Sequence, residues 1–330
     1  MYLDQNYLSN MAKARSSHPM NTSERDFWKA LFHDLKSAVV ADKIACPESE
    51  FHQEESSLDR RTEAVVIRTA SELSLGLEFR LWDSILDSLI EEAAYKFLGK
   101  TPPLTESWAI AFTSDPRATV ESRLEAILGT KVRVDVSFSL PDKIIERRRQ
   151  SKREWVVDAE KALKRNTGRS WSDELLVQKR SFVYVLYGPP ALLSLMKESS
   201  RGTQYDMLNA GAKFGELLKK FHRLTSIGIK DFSFFCSDEL FNIPFVDIFC
   251  SLNAAYNFYK HERKPRGSDL TDYAILATAI PYCDVVTTDK FMKELLVNIL
   301  HFDEKYECQI FSASEEDRQA LQKLVRKINH

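Results

Sequence analysis

The chain has 330 residues, of which 44% are hydrophobic and 28% are charged, and its formal net charge is −2. This length can bury one large core or two smaller ones, and the composition is that of an ordinary globular protein. The near-neutral charge excludes a uniformly basic surface, so any surface that binds nucleic acid must be local.

The N-terminal part of the sequence predicts two short strands that alternate with helices. Residues 1–4 and residues 43–46 are short apolar runs, each of which suits a buried strand. Between them, apolar side chains at helical spacing predict a helix over residues 24–40. Ser49 is placed to cap a further helix, which is predicted to continue beyond Arg61.

The middle of the sequence predicts mostly helices. A long apolar stripe over residues 65–97 predicts one helix with a bend at Gly76, and the alternation in residues 131–140 predicts a strand. Three further helices are predicted at residues 142–165, 203–223 and 244–261.

The C-terminal part alternates again between helices and strands. Helices are predicted at residues 268–280, 291–299 and 315–328, and strands at residues 284–288 and 308–311. Because strands and helices alternate at both ends, we predict an α/β protein in which both termini build one parallel sheet flanked by helices. The predicted division is a core formed by residues 1–58 and 262–330, with a large, mostly helical insertion at residues 59–261.

Acidic residues follow the predicted strands or open the helices after them. In an open parallel sheet, ligands bind outside the carboxyl ends of the strands, and the following helices begin at the same edge. The acidic side chains are therefore predicted to face one crevice. They are Asp4, Glu54, Glu55, Asp269, Asp272 and Asp289.

Such a cluster predicts a metal site. Clustered carboxylates repel one another and raise each other's pKa, so they stay ionised at neutral pH mainly when cations lie among them. Hard oxygen ligands select Mg²⁺ or Mn²⁺, which also hold substrate phosphates. A pair of such ions can activate a water and stabilise the leaving oxygen of a phosphodiester. Metal-dependent phosphodiester hydrolysis is the chemistry that this set of residues predicts.

Each acidic residue also has an ordinary structural explanation. Asp269, Asp272 and Asp289 could cap the helices that they open, because aspartate is favoured there. Glu54 and Glu55 could be solvated helix residues, and Asp4 could be exposed near the chain start. Only the joint placement of these residues favours a site.

The order and spacing of these motifs resemble the PIN-domain nuclease superfamily. Residues 2–8 (YLDQNYL) look like that family's first strand, with a metal-binding Asp followed two residues later by Asn. Residues 268–279 look like its helix with an acidic start, and residues 281–289 look like the strand that ends in Thr-x-Asp. The match lies at the two ends of the chain, and the long insertion departs from compact family members.

The resemblance implies roles for individual residues. Asp4, Asp272 and Asp289 would bind metal, with Thr287 and Asn6 in support. Glu55 is preferred over Glu54 as the second acidic ligand, and Asp269 would be an auxiliary ligand. His52 lies near this predicted site, where a structural hydrogen bond is its simpler explanation.

The resemblance also implies a substrate. We expect a Mg²⁺- or Mn²⁺-dependent endonuclease that cleaves single-stranded or structured RNA rather than DNA. A structure-specific DNA nuclease and a catalytically degenerate PIN-like binding or scaffold module remain alternatives. A protein partner or a homo-oligomer also stays open. The sequence contains no P-loop, GxSxG or HExxH motif, which excludes several common enzyme classes.

Two basic segments could bind a phosphate backbone. One runs through residues 147–153 on a predicted helix, near Trp155 and Trp171, and the other occupies residues 260–266 directly before Asp269. For the first segment, interspersed glutamates make a solvated helix face the simpler explanation.

No targeting or membrane segment is expected. The chain start lacks the apolar run of a signal peptide, and the most apolar stretch, residues 241–258, is broken by polar residues and proline. The five cysteines form no CxxC pair, so neither a zinc site nor a disulfide framework is indicated. A cytoplasmic protein with reduced thiols is predicted.

Overall fold

The computed structural model describes residues 1–56, 62–123, 142–165, 168–188, 204–230, 232–259 and 263–330. Helices dominate this part of the chain. The first eight are α1 (Gln5–Arg15), α2 (Thr22–Val40), α3 (Glu50–Ser56), α4 (Glu63–Ser74), α5 (Trp82–Phe97), α6 (Ser107–Ala111), α7 (Asp142–Arg165) and α8 (Trp171–Tyr187). The others are α9 (Gln204–Ile227), α10 (Asp238–Phe241), α11 (Pro244–Phe258), α12 (Asp269–Ala279), α13 (Lys290–Lys293), α14 (Phe302–Lys305) and α15 (Glu315–Asn329). The strands are β1 (Val285–Thr288) and β2 (Gln309–Ser312).

The chain divides into two compact units. The first comprises Met1–Trp82, Glu106–Glu160 and Pro265–His330, and the second comprises Asp83–Thr105 and Lys161–Lys264. Both ends of the chain therefore belong to the first unit. Among the described helices of both units, none combines the length and the apolar run that crossing a bilayer requires.

The sheet of the first unit is small and parallel. β1 pairs with β2, with Val285 opposite Gln309 and Thr288 opposite Ser312. On the other side of β1, Tyr2 forms a single parallel bridge: its N–H donates to the Val285 carbonyl at 2.8 Å, and its carbonyl accepts from the Thr287 N–H at 3.0 Å. All four residues of β1 are buried, as in a strand covered on both faces.

The predicted PIN-like parallel sheet flanked by helices is wrong. Within the described ranges, the only strands are two of four residues each. Residues 1–4 contribute a single bridge to the sheet, because Asp4 is the N-cap of α1 and the chain is helical from the next residue. Residues 43–46 form no strand either, and nearby Glu48 makes a single bridge with Glu78. Short apolar runs predict buried strands, but these residues join the hydrophobic core among the helices instead.

Several helices agree with the sequence, and others do not. The helix over residues 142–165 has the predicted bounds, whereas the predicted long helix over residues 65–97 is two helices, α4 and α5. Leu75 and Gly76 between them have positive φ angles of 44° and 82°, so the backbone turns there instead of bending. α1 and α8 were not predicted. The predicted strand at residues 131–140 lies outside the described residues.

The second unit is helical in its described residues. α8 packs against α11, and a buried ion pair joins Lys179 to Asp247 at 3.3 Å. Aromatic rings fill part of its core, where the ring of Tyr187 lies 5.6 Å from that of Phe221.

The core of the first unit lies where α1, α2, α4 and α15 meet. Trp28 on α2 is 1% exposed and contacts the Tyr7 ring edge-on at 5.2 Å. Burying each such large apolar side chain stabilises the fold by about 1.5–3 kcal/mol. The apolar spacing that predicted α2 from the sequence is the face that fills this core.

A charged cluster on one carboxylate links three of these helices. Glu72 of α4 accepts hydrogen bonds from Arg15 of α1 at 2.9 Å and from Lys36 of α2 at 2.8 Å, and Arg68 lies one helical turn away at 3.1 Å. The Arg15 guanidinium also stacks 3.6 Å from the centre of the Phe32 ring. Although partial burial raises the pKa of Glu72, the bonds from Lys36 and Arg15 lower it to about 2.

We expect Glu72→Gln to lower the free energy of unfolding by about 1–2 kcal/mol at pH 7, because charged hydrogen bonds are lost at a partly solvated position. Because folding lowers the pKa of Glu72, its ionised carboxylate stabilises the folded state at pH values above the pKa of the unfolded chain. This contribution is lost as the pH falls through the folded pKa of about 2. The difference between the variant and the wild type should therefore shrink below about pH 4.5. Urea unfolding over this pH range measures it. The exposed Glu121→Gln is the control, and an equal loss in both variants would contradict a specific role for Glu72.

Candidate acidic site

Asp4 is fixed at the point where the N-terminal segment leaves β1. One carboxylate oxygen accepts from the Tyr7 N–H at 3.1 Å, and the other accepts from the Asn6 amide at 3.2 Å. The Thr287 hydroxyl accepts from the Asp4 N–H at 2.7 Å and donates to its carboxylate at 3.4 Å. Asn6 and Thr287, two of the residues predicted to support the site, therefore both contact Asp4.

The pKa of Asp4 is raised to about 6. Burial is the main cause and the charge of Asp289 adds to it, whereas the hydrogen bonds from Tyr7, Asn6 and Thr287 lower the pKa. Asp289 follows β1 and is the N-cap of α13, accepting from the Met292 N–H at 2.7 Å. Asp4 and Asp289 thus act on each other electrostatically while each caps a helix.

Glu55 reaches the same electrostatic environment from α3. Burial, followed by the charge of Asp4, raises the pKa of Glu55 to about 7, and Glu54 adds a smaller effect in the same direction. The ammonium of Lys152 on α7 opposes this rise. The charge of Asp4 therefore raises the pKa of Glu55 more than the charge of Glu54 does, although Glu54 is the neighbour of Glu55 in the chain.

Asp272 joins the three other carboxylates from α12. Burial raises its pKa well above the ordinary range, and the charges of Glu55, Asp289, Asp269 and Asp4 raise it further. Ser268 is the N-cap of α12, and its side chain makes no cap hydrogen bond. The repulsion of four other carboxylates at one side chain shows that residues from four separate segments share one electrostatic environment.

Asp269 is held differently. It is fully buried, and its carboxylate accepts from the Arg266 N–H at 2.8 Å, which closes the turn before α12. This contact gives Asp269 a local structural role. Its predicted place as an auxiliary metal ligand stays a prediction.

His52 connects α3 to the N-terminal segment. Its Nε2 donates to the Leu3 carbonyl at 2.8 Å, its Nδ1 accepts from the Ser49 N–H at 3.3 Å, and its ring stacks on Tyr2 with centroids 5.0 Å apart. Burial lowers the pKa of His52 to about 4, so the ring is neutral at physiological pH. Both ring nitrogens of His52 therefore take part in hydrogen bonds. His52 has a structural role, because these bonds hold α3 beside the segment that contains Asp4.

Two residues near the site were missed in the sequence. Lys152 was counted only within a basic run, because its effect on Glu55 depends on packing between distant segments. Gln5 donates to the Ser56 hydroxyl at 3.0 Å and so joins α1 to α3, but no local pattern marks it.

The donor chemistry of the site fits a hard divalent cation. Carboxylate oxygens are the ligands that Mg²⁺ and Mn²⁺ prefer, and a cation would offset the repulsion that raises these pKa values. In the described part of the chain, however, no three Asp, Glu, His or Cys side chains form a group that could hold a metal ion. Asp4, Glu55, Asp272 and Asp289 would hold the ion, and they would have to close around it.

No protein-family model, no curated protein and no solved structure matches this chain. The resemblance to PIN-domain nucleases therefore depends on the short motifs alone.

We expect Asp272→Asn to raise the free energy of unfolding by about 1 kcal/mol or more in the absence of metal. At neutral pH the folded state must either protonate Asp272 or ionise it beside four carboxylates, and both cost free energy that Asn does not. A capping role for Asp272 would instead predict a loss of about 1 kcal/mol. Thermal and urea unfolding in EDTA distinguish the two, with the exposed Asp26→Asn as the control.

Proposed function

We propose that this protein is a nuclease that depends on Mg²⁺ or Mn²⁺ and hydrolyses phosphodiester bonds in single-stranded or structured RNA. The observation that carries the proposal is the mutual repulsion of Asp4, Glu55, Asp272 and Asp289, which come from four separate segments. Burying like charges together destabilises a fold, so a cluster of this kind points to a functional site. The proposal uses the carboxylates and not the sheet that the resemblance implied.

The hydrogen bonds within the site divide its residues into two groups. Asp4 and Asp289 are fixed by the helices that they cap and, for Asp4, by Thr287. Burial and neighbouring charges raise the pKa values of Glu55 and Asp272, and neither residue is the N-cap of a helix, so they are the side chains that would adjust when a cation enters. A bound Mg²⁺ or Mn²⁺ would supply an activated water and would stabilise charge on the leaving oxygen.

Lys152 is placed to hold the substrate beside these carboxylates. α7 passes close to the turn before α12: a Cβ at Gly267 would lie 2.8 Å from the Cβ of Lys152. On the same helix, Arg149 and Arg153 already pair with Glu146 at 3.8 and 3.4 Å. Lys152 has no such ion pair within the described residues, and its charge acts on Glu55. We therefore propose that Lys152 binds a phosphate of the substrate.

A binding or scaffold module is the second candidate. It is favoured by the finding that, among the described residues, no three ligand side chains form a group that could hold a metal ion. A structure-specific DNA nuclease is the third candidate, and the preference for RNA rests on the motif resemblance. A cytoplasmic location and a protein partner or homo-oligomer stay predictions from the sequence.

Purified wild-type protein should cleave labelled single-stranded RNA when Mn²⁺ or Mg²⁺ is added and should not do so in EDTA. Asp4→Asn, Asp272→Asn and Asp289→Asn should each reduce the rate by about 100-fold or more while the protein stays folded, because each removes a metal ligand. Asp26→Asn should retain full activity. Matched DNA and RNA oligonucleotides separate the two nuclease candidates, and wild-type protein that cleaves neither with any divalent metal supports the scaffold module.

Lys152→Gln should raise the KM for RNA about tenfold and change kcat little, because Lys152 is assigned to phosphate binding and not to bond cleavage. Lys152→Arg keeps the positive charge and should recover most of the lost affinity. Arg149→Gln on the same helix is the matched control. A fall in kcat at unchanged KM would assign Lys152 a role in the chemical step, and no effect would remove it from the site.

A further inference from the structure

A cavity of about 760 Å³ lies in the first unit at the amino end of β1. Asp284 and Val285, where β1 begins, line it, whereas Asp289 and the acidic site lie past the other end of the strand. Four strand residues span about 13 Å, so the cavity and the acidic site are separate. A volume of this size is typical of sites that bind small molecules.

The buried side chain of Arg123 lines this cavity, and two of its nitrogens have no hydrogen-bond partner among the described residues. Arg123 is 3% exposed, and within the described residues neither its Nε nor its Nη1 has a partner. The charges of Asp42 and Asp115 act on Arg123. The Asp42 carboxylate, however, accepts a hydrogen bond from the Val120 N–H at 2.7 Å, and the Asp115 carboxylate accepts one from the Arg117 N–H at 2.9 Å. A guanidinium buried in this state is costly, and an anion beside it would offset the cost.

Aromatic side chains supply other parts of the cavity wall. Trp108, Tyr282 and Tyr306 are half-buried there, and the buried Phe112 contacts Tyr282 edge-on with ring centroids 6.4 Å apart. Flat apolar surfaces of this kind stack on planar rings. The cavity thus combines a guanidinium, two of whose nitrogens have no hydrogen-bond partner among the described residues, with surfaces that suit an aromatic ligand.

We propose that this cavity binds an organic anion in which a planar ring carries one phosphate or carboxylate group. The Arg123 guanidinium would turn toward the cavity and take the oxyanion through two parallel N–H bonds, while the ring stacks against the aromatic wall. The proposal does not depend on the nuclease activity, because the acidic site contributes no residue to this cavity.

Calorimetry and thermal melts of the full chain in EDTA test this proposal with two matched pairs of probes. AMP is compared with adenosine, and indole-3-acetate with indole-3-acetamide, so that each pair differs in the anionic group. We expect at least one anion to bind at least tenfold more tightly than its neutral partner and to raise the melting temperature. The pair that responds tells whether phosphate or carboxylate is preferred. EDTA keeps phosphate from binding through a metal at the acidic site.

Arg123→Met should weaken binding of that anion at least tenfold, whereas Arg68→Met, on the exposed face of α4, should leave it unchanged. Without ligand, Arg123→Met should melt at the wild-type temperature or above it, because it removes a buried guanidinium with two nitrogens that have no hydrogen-bond partner in the described part of the chain. Three outcomes would overturn the proposal. Neither anion binds, Arg123→Met binds it as the wild type does, or ligand-free Arg123→Met melts well below the wild type.

Discussion

Two peptide hydrogen bonds between Tyr2 and β1 set the geometry on which the candidate site depends. They join the first residues of the chain to residues more than 280 positions later, and they fix the register between the two segments. In this register, the Thr287 hydroxyl bonds both the backbone and the carboxylate of Asp4. A slip of one residue would turn every side chain to the opposite face and separate Asp4 from Thr287 and Asp289. The side chains of Tyr2 and His52 then extend this contact to α3, which carries Glu55.

Repulsion at the acidic site is opposed by attraction elsewhere in the same unit. Burial and mutual charge raise the pKa values of Asp4, Glu55 and Asp272, so the folded state without a cation carries strain at neutral pH. Elsewhere in this unit, Glu72 gathers positive side chains from α1, α2 and α4 around one carboxylate, and its pKa is lowered. Folds that break local electrostatic rules at one place compensate by ordinary packing and pairing at others.

β1 separates two environments of different character. Acidic side chains gather beyond its carboxyl end, while its amino end borders a cavity that contains the buried guanidinium of Arg123. β1 is buried along its whole length, so it holds the two ends apart. The two ends therefore favour ligands of different chemistry, a hard cation at one and an organic anion at the other.

The sequence by itself determined the elements whose periodicity is local. The spacing of apolar residues predicted α7 with its observed bounds, and the β-branched run at Val285–Thr288 marked β1, because both patterns depend on neighbours a few residues apart. It also singled out Asp4, Asp272 and Asp289 through their place at element ends. The tertiary structure decided which segments pair as strands, because strand pairing joins residues far apart in the chain. Packed helices take the place of the larger sheet that the sequence predicted. It also decided that Lys152 acts on Glu55 and that Arg123 is buried beside a cavity, because long-range packing alone fixes burial and charge environment.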